Sequence, residues 1–334
     1  MHHRSRPIWD LPESLHTSES VYRQRSLARR AFLAAVGRSA AGIVGTTGLL
    51  SAVGCMPAPT PEEVESGGAV APLEAGQSQL YPARRDPRFE YGRAETSKFE
   101  AAAYTNFYEF TSQKDVFRHV ASFEPTPWSF EVTGLCAKPQ TFDLDDVYQQ
   151  FTLQERAYRH RCVETWAMCV PWTGFPLREL LAAVEPRPEA KFVEFLTAER
   201  PEQMPQLGRN SSYPWPYTEG LTLAEALNDL TFVATGIYGA PLPKQHGAPI
   251  RIVIPWKYGY KSGKSLAAIR LTDTQPRTFW NTLIPHEYDF QANVNPEVPH
   301  PRWSQSSEWM LGTGDRFPTV LYNGYGEFVA NLYT

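Results

Sequence analysis

Twenty-nine prolines run through this chain of 334 residues, and they rule out an architecture of long helices. Each one removes a backbone donor and clashes with the preceding helical turn, so helices must be short and fitted between prolines. An apolar share of 42% with nine tryptophans is enough to bury a real core. The length allows one large domain or two ordinary ones. Trp128, Phe130 and Val132 alternate with polar neighbours and stop at Gly134, as a strand does. Phe192 to Leu196, Ile250 to Ile254 and Leu266 to Leu271 read as further strands. Leu177, Leu180, Leu181 and Val184 follow helical spacing between Pro176 and Pro186, and Leu223 to Leu227 opens another helix. Short strands, scattered helices and proline-rich loops give an α+β class rather than a doubly wound sheet. No G-x-G-x-x-G follows a strand, which argues against a nicotinamide fold. A net charge of −4 with no clustered basic face points away from nucleic acid.

The first 55 residues read as an address. Paired Arg29 and Arg30, followed by Phe32 and Leu33, precede a mildly apolar run from Ala40 to Val53. No acidic residue falls between Ser26 and Val53. This is the layout of a twin-arginine export signal, the route of proteins that fold before they cross, often around a cofactor. It implies a periplasmic product. The other readings are a basic surface helix and a membrane anchor, for which the run is short; a bilayer span needs about 20 apolar residues. Leu49-Leu50-Ser51-Ala52-Val53-Gly54-Cys55 resembles a lipoprotein cleavage site, with Ala52 where Leu is usual. A lipid tether on Cys55 and simple cleavage nearby both remain open. Residues 56–98 are rich in Pro, Glu, Gly, Ala and Ser at their start and read as a flexible linker. From Phe99 to Thr334 the composition is globular without a break, so one catalytic domain is the simplest account.

Cys55, Cys136, Cys162 and Cys169 form no zinc-finger spacing. In Tyr158-Arg159-His160-Arg161-Cys162-Val163-Glu164, a lone cysteine sits among Arg159, His160 and Arg161. Adjacent cations favour a thiolate, the soft ligand that a redox metal prefers. One cysteine cannot hold a metal alone, so if Cys162 is a ligand a cofactor must bring the remaining ones. A pterin dithiolene would supply two sulfurs to molybdenum. On spacing alone, a buried structural cysteine is the commoner reading. Lys244 to Arg251 and Trp256 to Ser265 mix Gly, Lys, Ser and Arg before a strand, which suits an anion or a solvated basic loop. Tyr104-Thr105-Asn106-Phe107-Tyr108-Glu109-Phe110, taken alone, reads as an aromatic core strand.

Together these stretches resemble the catalytic subunits of periplasmic protein-methionine-sulfoxide reductases, molybdopterin enzymes of the sulfite oxidase fold. The ordered matches include Asn106 to Phe110, Arg161 to Glu164, Val170 to Leu177, Pro201 to Pro205, Val253 to Gly259, Asn293 to Pro296, His300 to Gln305 and Asn323 to Tyr325. The resemblance spans about Tyr104 to Tyr333 and implies mixed, barrel-like sheets with short helices. It implies a molybdenum-molybdopterin cofactor with one pterin dithiolene and Cys162 as the molybdenum ligand. Thr105, Asn106, Tyr108 and Glu109 would line the pterin site, and Thr197 would contact the cofactor. Arg251 with the Ser262-Gly263-Lys264 turn would take its phosphate end. His246 stands where this family often has Asn, and Thr105 is a second departure.

The implied activity is reduction of methionine sulfoxide residues in exported proteins. Electrons would come from a haem-containing, quinol-linked membrane subunit. Sulfite oxidation on the same fold is the nearest alternative. Sulfite oxidases resemble Cys-Ala-Gly-Asn-Arg-Arg after the ligand, whereas Cys162 here precedes Val163-Glu164-Thr165-Trp166. A further alternative is a non-catalytic protein held to a membrane by its lipid. Aromatics such as Trp166, Trp256 or Tyr258 are expected to wall the substrate pocket.

Overall fold

The computed structural model describes residues 58–73, 77–210 and 212–334. The paired arginines and Cys55 lie outside the described residues. Twelve strands run in chain order as β1 (Ser129–Gly134), β2 (Gln140–Asp143), β3 (Gln154–Arg161), β4 (Trp166–Pro176), β5 (Phe192–Thr197) and β6 (Thr218–Thr222), then β7 (Phe232–Ile237), β8 (Ala240–Pro241), β9 (Arg251–Val253), β10 (Leu266–Thr272), β11 (Ser307–Met310) and β12 (Arg316–Pro318). One sheet has the order β2-β1-β10-β5-β6. The other runs β12-β11-β4-β7-β8, with β3 on β4 and β9 on β7. Both sheets are mixed, since β1–β10 and β11–β4 pair in parallel and their other neighbours are antiparallel. Neither path closes on itself, so the expected barrel-like arrangement is corrected to two open sheets with short helices.

The strands read from the sequence form close to their expected limits. In β1, Phe130 and Val132 are buried between exposed Ser129 and Glu131. The helix Leu177–Val184 buries Leu177, Leu180, Leu181 and Val184 on one face. β4 is buried along its whole length. Gly174 lets it approach β7, because a Cβ there would meet the Val233 carbonyl oxygen at 1.9 Å.

Two expectations fail. The described part of 56–98 is not a flexible linker but packs on the body. The helix Pro61–Gly67 has a reciprocal Thr60–Glu63 capping box, and its Val64 is buried with Ala102 and Phe117. Arg85 pairs with Glu155 at 2.6 Å, and the Phe89 ring meets Tyr158 edge-on at 5.2 Å. Single apolar residues anchor this segment, and average composition hides them. Tyr104 to Phe110 is not a strand either. It is a turning segment with a bridge between Phe107 and Thr111, and it follows the helix Lys98–Ala103.

Candidate functional site

β3 and β4 form one antiparallel hairpin, and Cys162 sits at its tip. The turn closes through Cys162 N–H donating to Trp166 O (2.9 Å) and Thr165 N–H donating to Cys162 O (3.0 Å). Thr165 takes a left-handed φ of 73°, a conformation that costs a non-glycine residue energy and must be held by its surroundings. Those surroundings come from late in the chain. Trp303 Nε1 and Gln305 Nε2 both donate to Val163 O at 2.8 Å. The buried Arg161 guanidinium donates to Cys162 O, pairs with Glu308 at 3.0 Å and donates to Gln305 Oε1 at 2.8 Å. Two successive carbonyls of the turn are thereby pinned.

Cys162 faces a cleft of about 780 Å³. Asn106 Nδ2 approaches its sulfur at 3.6 Å and Glu164 Oε2 at 3.8 Å. Glu164 in turn accepts from Lys114 Nζ at 2.5 Å and Trp166 Nε1 at 3.0 Å. Burial, and then the Glu164 charge, push the Cys162 thiol up to about 12. The expectation that neighbouring cations make a thiolate is therefore corrected. Arg161 is committed to Glu308, and the Arg159 guanidinium lies over the Tyr325 ring at 5.2 Å. Only bonding to a metal would remove this proton at neutral pH.

The far wall carries cations. Arg251 is buried and donates to the carbonyls of His246 (2.9 Å), Ile252 (3.3 Å) and Ser262 (3.5 Å); it has no carboxylate partner among the described residues. Burial pulls its pKa down to about 9. Burial, reinforced by Arg251, lowers Lys264, and burial raises Glu109. Glu109 accepts from Thr197 Oγ1 at 2.9 Å. His246 is pushed down to about 3 by burial and then by Arg251 and Lys264, and His160 is lowered in the same way, so both stay neutral. Gly259 passes so close to His160 that a Cβ would lie 2.4 Å from its ring.

Of the residues singled out from the sequence, Thr105, Asn106, Tyr108, Glu109, Cys162, His246, Arg251, Ser262 and Lys264 line this one cleft. Thr197 and Gly263 do not. Thr197 stands behind Glu109, and a Cβ added at Gly263 would meet the Thr197 methyl at 3.5 Å, an ordinary contact. Trp166 walls the cleft as expected. Trp256 does not, because it is fully buried and donates to Tyr333 at 2.8 Å, and Tyr258 lines a neighbouring cavity instead. Sequence reasoning missed Trp280 and Tyr288 at the cleft mouth, and Lys114 behind Glu164. Lys114 had no motif to mark it; its carbonyl accepts from Thr105 N–H at 3.0 Å, which ties its loop to the cleft.

The donor set fits a phosphate-bearing pterin cofactor. Among the described residues no cluster of three His, Cys, Asp or Glu side chains could hold a metal, so a metal at Cys162 takes its other ligands from a cofactor. Thr105 Oγ1 is buried without a hydrogen-bond partner on the cleft wall. Arg251 offers a buried positive charge that only an anion can neutralise. Cys136, Cys162 and Cys169 are all free thiols, and Cys162 is the one on the cleft.

The model for an oxidoreductase molybdopterin binding domain matches residues 117–280, which defines the class. The protein-methionine-sulfoxide reductase catalytic subunit MsrP of Burkholderia mallei is 42% identical over 329 residues, covering 97% of this chain and 93% of that one. The chain belongs to the family of protein-methionine-sulfoxide reductase catalytic subunits. The sulfane dehydrogenase SoxCD of Paracoccus pantotrophus superposes with a TM-score of 0.47 at 15% identity, over 79% of this chain and 68% of that one.

Proposed function

We propose that this protein reduces methionine sulfoxide residues of exported proteins at a molybdenum-molybdopterin centre held by Cys162. When bound, the cofactor supplies oxygen-atom transfer and two-electron chemistry. The observation that carries the reading is the single cleft thiol, placed between an aromatic mouth and a buried cationic wall. Cys162 would hold the metal. Arg251, Lys264 and the backbone around Ser262 would take the phosphate end, with Thr105, Asn106, Glu109 and His246 along the pterin. Thr197 and Gly263 would act from behind by positioning Glu109 and the turn.

Substrate enters past Tyr108, Trp280 and Tyr288, whose rings meet edge-on or tilted at 4.9 and 5.0 Å. Aromatic faces suit the apolar, sulfur-bearing side chain of an oxidised methionine. Burial keeps the Tyr108 hydroxyl protonated, so it remains a donor on the cleft wall for the sulfoxide oxygen. Sulfite fits poorly. The carboxylate of Glu164 is the charged group nearest the sulfur, and Lys114 is already engaged with it. Arg159 and Arg161 are both turned to other partners, and Arg251 is assigned to the phosphate end of the cofactor, so a dianion at the metal would be buried beside the Glu164 carboxylate without a guanidinium of its own.

Among the described residues no helix is long and apolar enough to cross a membrane. Export by the twin-arginine route, with either a lipid tether at Cys55 or simple cleavage nearby, and electron supply by a haem-containing, quinol-linked membrane subunit belong to the same proposal. They rest on the leader residues and on the family. Steady-state rates decide the substrate. The reduced, cofactor-loaded enzyme is expected to turn over methionine sulfoxide, free or in an oxidised protein, and barely to act on sulfite. Efficient sulfite oxidation without sulfoxide turnover would overturn the reading.

A further inference from the structure

A second cavity of about 800 Å³ lies beside the cleft and shares Val163 and Tyr260 with it. Its chemistry differs. Two tyrosine pairs stack within it, Tyr258 on Tyr260 with centroids 6.4 Å apart and Tyr322 on Tyr333 at 5.4 Å. The carboxylates of Glu287 and Asp289 face the same space. Glu287 is shared with Arg302 at 2.7 Å, but no cation of the described residues lies within ion-pair distance of Asp289, which is exposed. Aromatic faces with an unneutralised carboxylate attract an organic cation, because ring quadrupole and charge act in the same direction.

The cavity also holds an orphaned donor. His300 has a side chain 1% exposed, and its Nδ1 accepts from Arg302 N–H at 3.2 Å. The proton of the neutral ring then sits on Nε2. That atom makes no hydrogen bond; it stands 3.4 Å from Glu287 Oε2. A buried N–H without a partner calls for an acceptor, such as a peptide carbonyl. Arg302 and Trp303 line a hollow with Tyr108, Trp280 and Tyr288 of the cleft, and Trp303 stacks at 3.8 Å on His300, which lines the second cavity. Val298 and Leu321 sit exposed at the cavity. A chain that passes from the cleft to this cavity therefore has apolar side chains, an acceptor-seeking N–H and a tyrosine-lined anionic space within reach.

We propose that this cavity is a second substrate subsite, which takes an arginine or lysine side chain of the same polypeptide whose methionine sulfoxide enters the Cys162 cleft. The inference rests on the sulfoxide reductase reading above and narrows its substrates to oxidised methionines near a basic residue.

The test uses the cofactor-loaded, chemically reduced enzyme and short peptides with one methionine sulfoxide. An arginine, or a glutamine as control, is placed at successive positions on either side. At the best position arginine is expected to raise kcat/KM about tenfold, mainly through KM. In the Asp289→Asn, Glu287→Gln double variant that advantage should fall to about twofold or less, while turnover of free methionine sulfoxide is unchanged. Asp289→Asn keeps the oxygen that accepts from Ala292 N–H, so the loop is retained. Equal rates for arginine and glutamine peptides at every position would overturn the subsite, as would an advantage that survives in the double variant. Loss of turnover with every sulfoxide in the unaltered enzyme would instead overturn the parent reading.

Discussion

The Glu164 carboxylate stands 3.8 Å from the Cys162 sulfur, held there by Lys114. It raises the thiol and at the same time leaves the thiol no free cation to lean on. In cofactor-free protein, Cys162 should therefore react with iodoacetamide more slowly than an unfolded cysteine at pH 8. Removing the charge lowers the thiol pKa and enlarges the thiolate fraction, so Glu164→Gln should speed alkylation about threefold or more. Peptide mapping after timed labelling reads it, and an unchanged rate in the variant would contradict the electrostatic account.

Cys162→Ser should fold and lose sulfoxide reductase activity, since a hydroxyl is a poor soft ligand. Cys169→Ser makes the opposite case. Cys169 is fully buried with Tyr91, Ala157, Ala167 and Met310, away from the cleft. Its serine variant should keep activity and lose about 1–3 kcal/mol of stability from burying a hydroxyl. Denaturant unfolding together with activity assays separates the two.

Lys264→Met should leave the protein folded but poor in cofactor, because a cation beside Arg251 is lost from the cleft wall. Lys264→Arg should restore part of the occupancy. Molybdenum by elemental analysis and pterin by fluorescence after oxidation check this independently of turnover. Full occupancy in Lys264→Met would remove Lys264 from the anion site.

Lys257 is a structural charge. Its Nζ is buried against Glu225 at 2.5 Å, with Gln291 O at 2.7 Å and Asn293 Oδ1 at 2.8 Å. Lys257→Met strands the Glu225 carboxylate and should cost about 3–5 kcal/mol in chemical denaturation. A loss under about 1 kcal/mol would mean that Tyr333, which donates to Glu225 at 2.7 Å, compensates.

Arg29→Lys together with Arg30→Lys should keep the cofactor-loaded protein in the cytoplasm, as fractionation would show. Mass spectrometry of the exported product reads Cys55 directly, by the presence or absence of a diacylglyceryl mass.

The strands and the cleft were legible to different depths. Alternation in β1 and the leucine spacing of Leu177–Val184 carry their own burial pattern, so these elements appear where the residues put them. Cys162 is far in sequence from Arg251 and Lys264, and only the family resemblance joined it to them before the fold did. The charge state of Cys162 could not be read from its neighbours, because strand alternation and the pull of Glu308 decide which way Arg161 points. The packing of the described residues between 58 and 98 escaped for the converse reason. Val64, Phe89 and Tyr91 are single anchors in a polar stretch, and no period links them.

The carbonyl of Val163 receives its two donors from Trp303 and Gln305, some 140 positions further along the chain. A ribosome must therefore release the chain at least as far as Gln305 before the cysteine turn acquires its final shape. A product of translation interrupted before Trp303 lacks both donors of this clamp. Synthesis past Gln305 is in this way built into the conditions for shaping the turn, ahead of any machinery that inspects the protein afterwards.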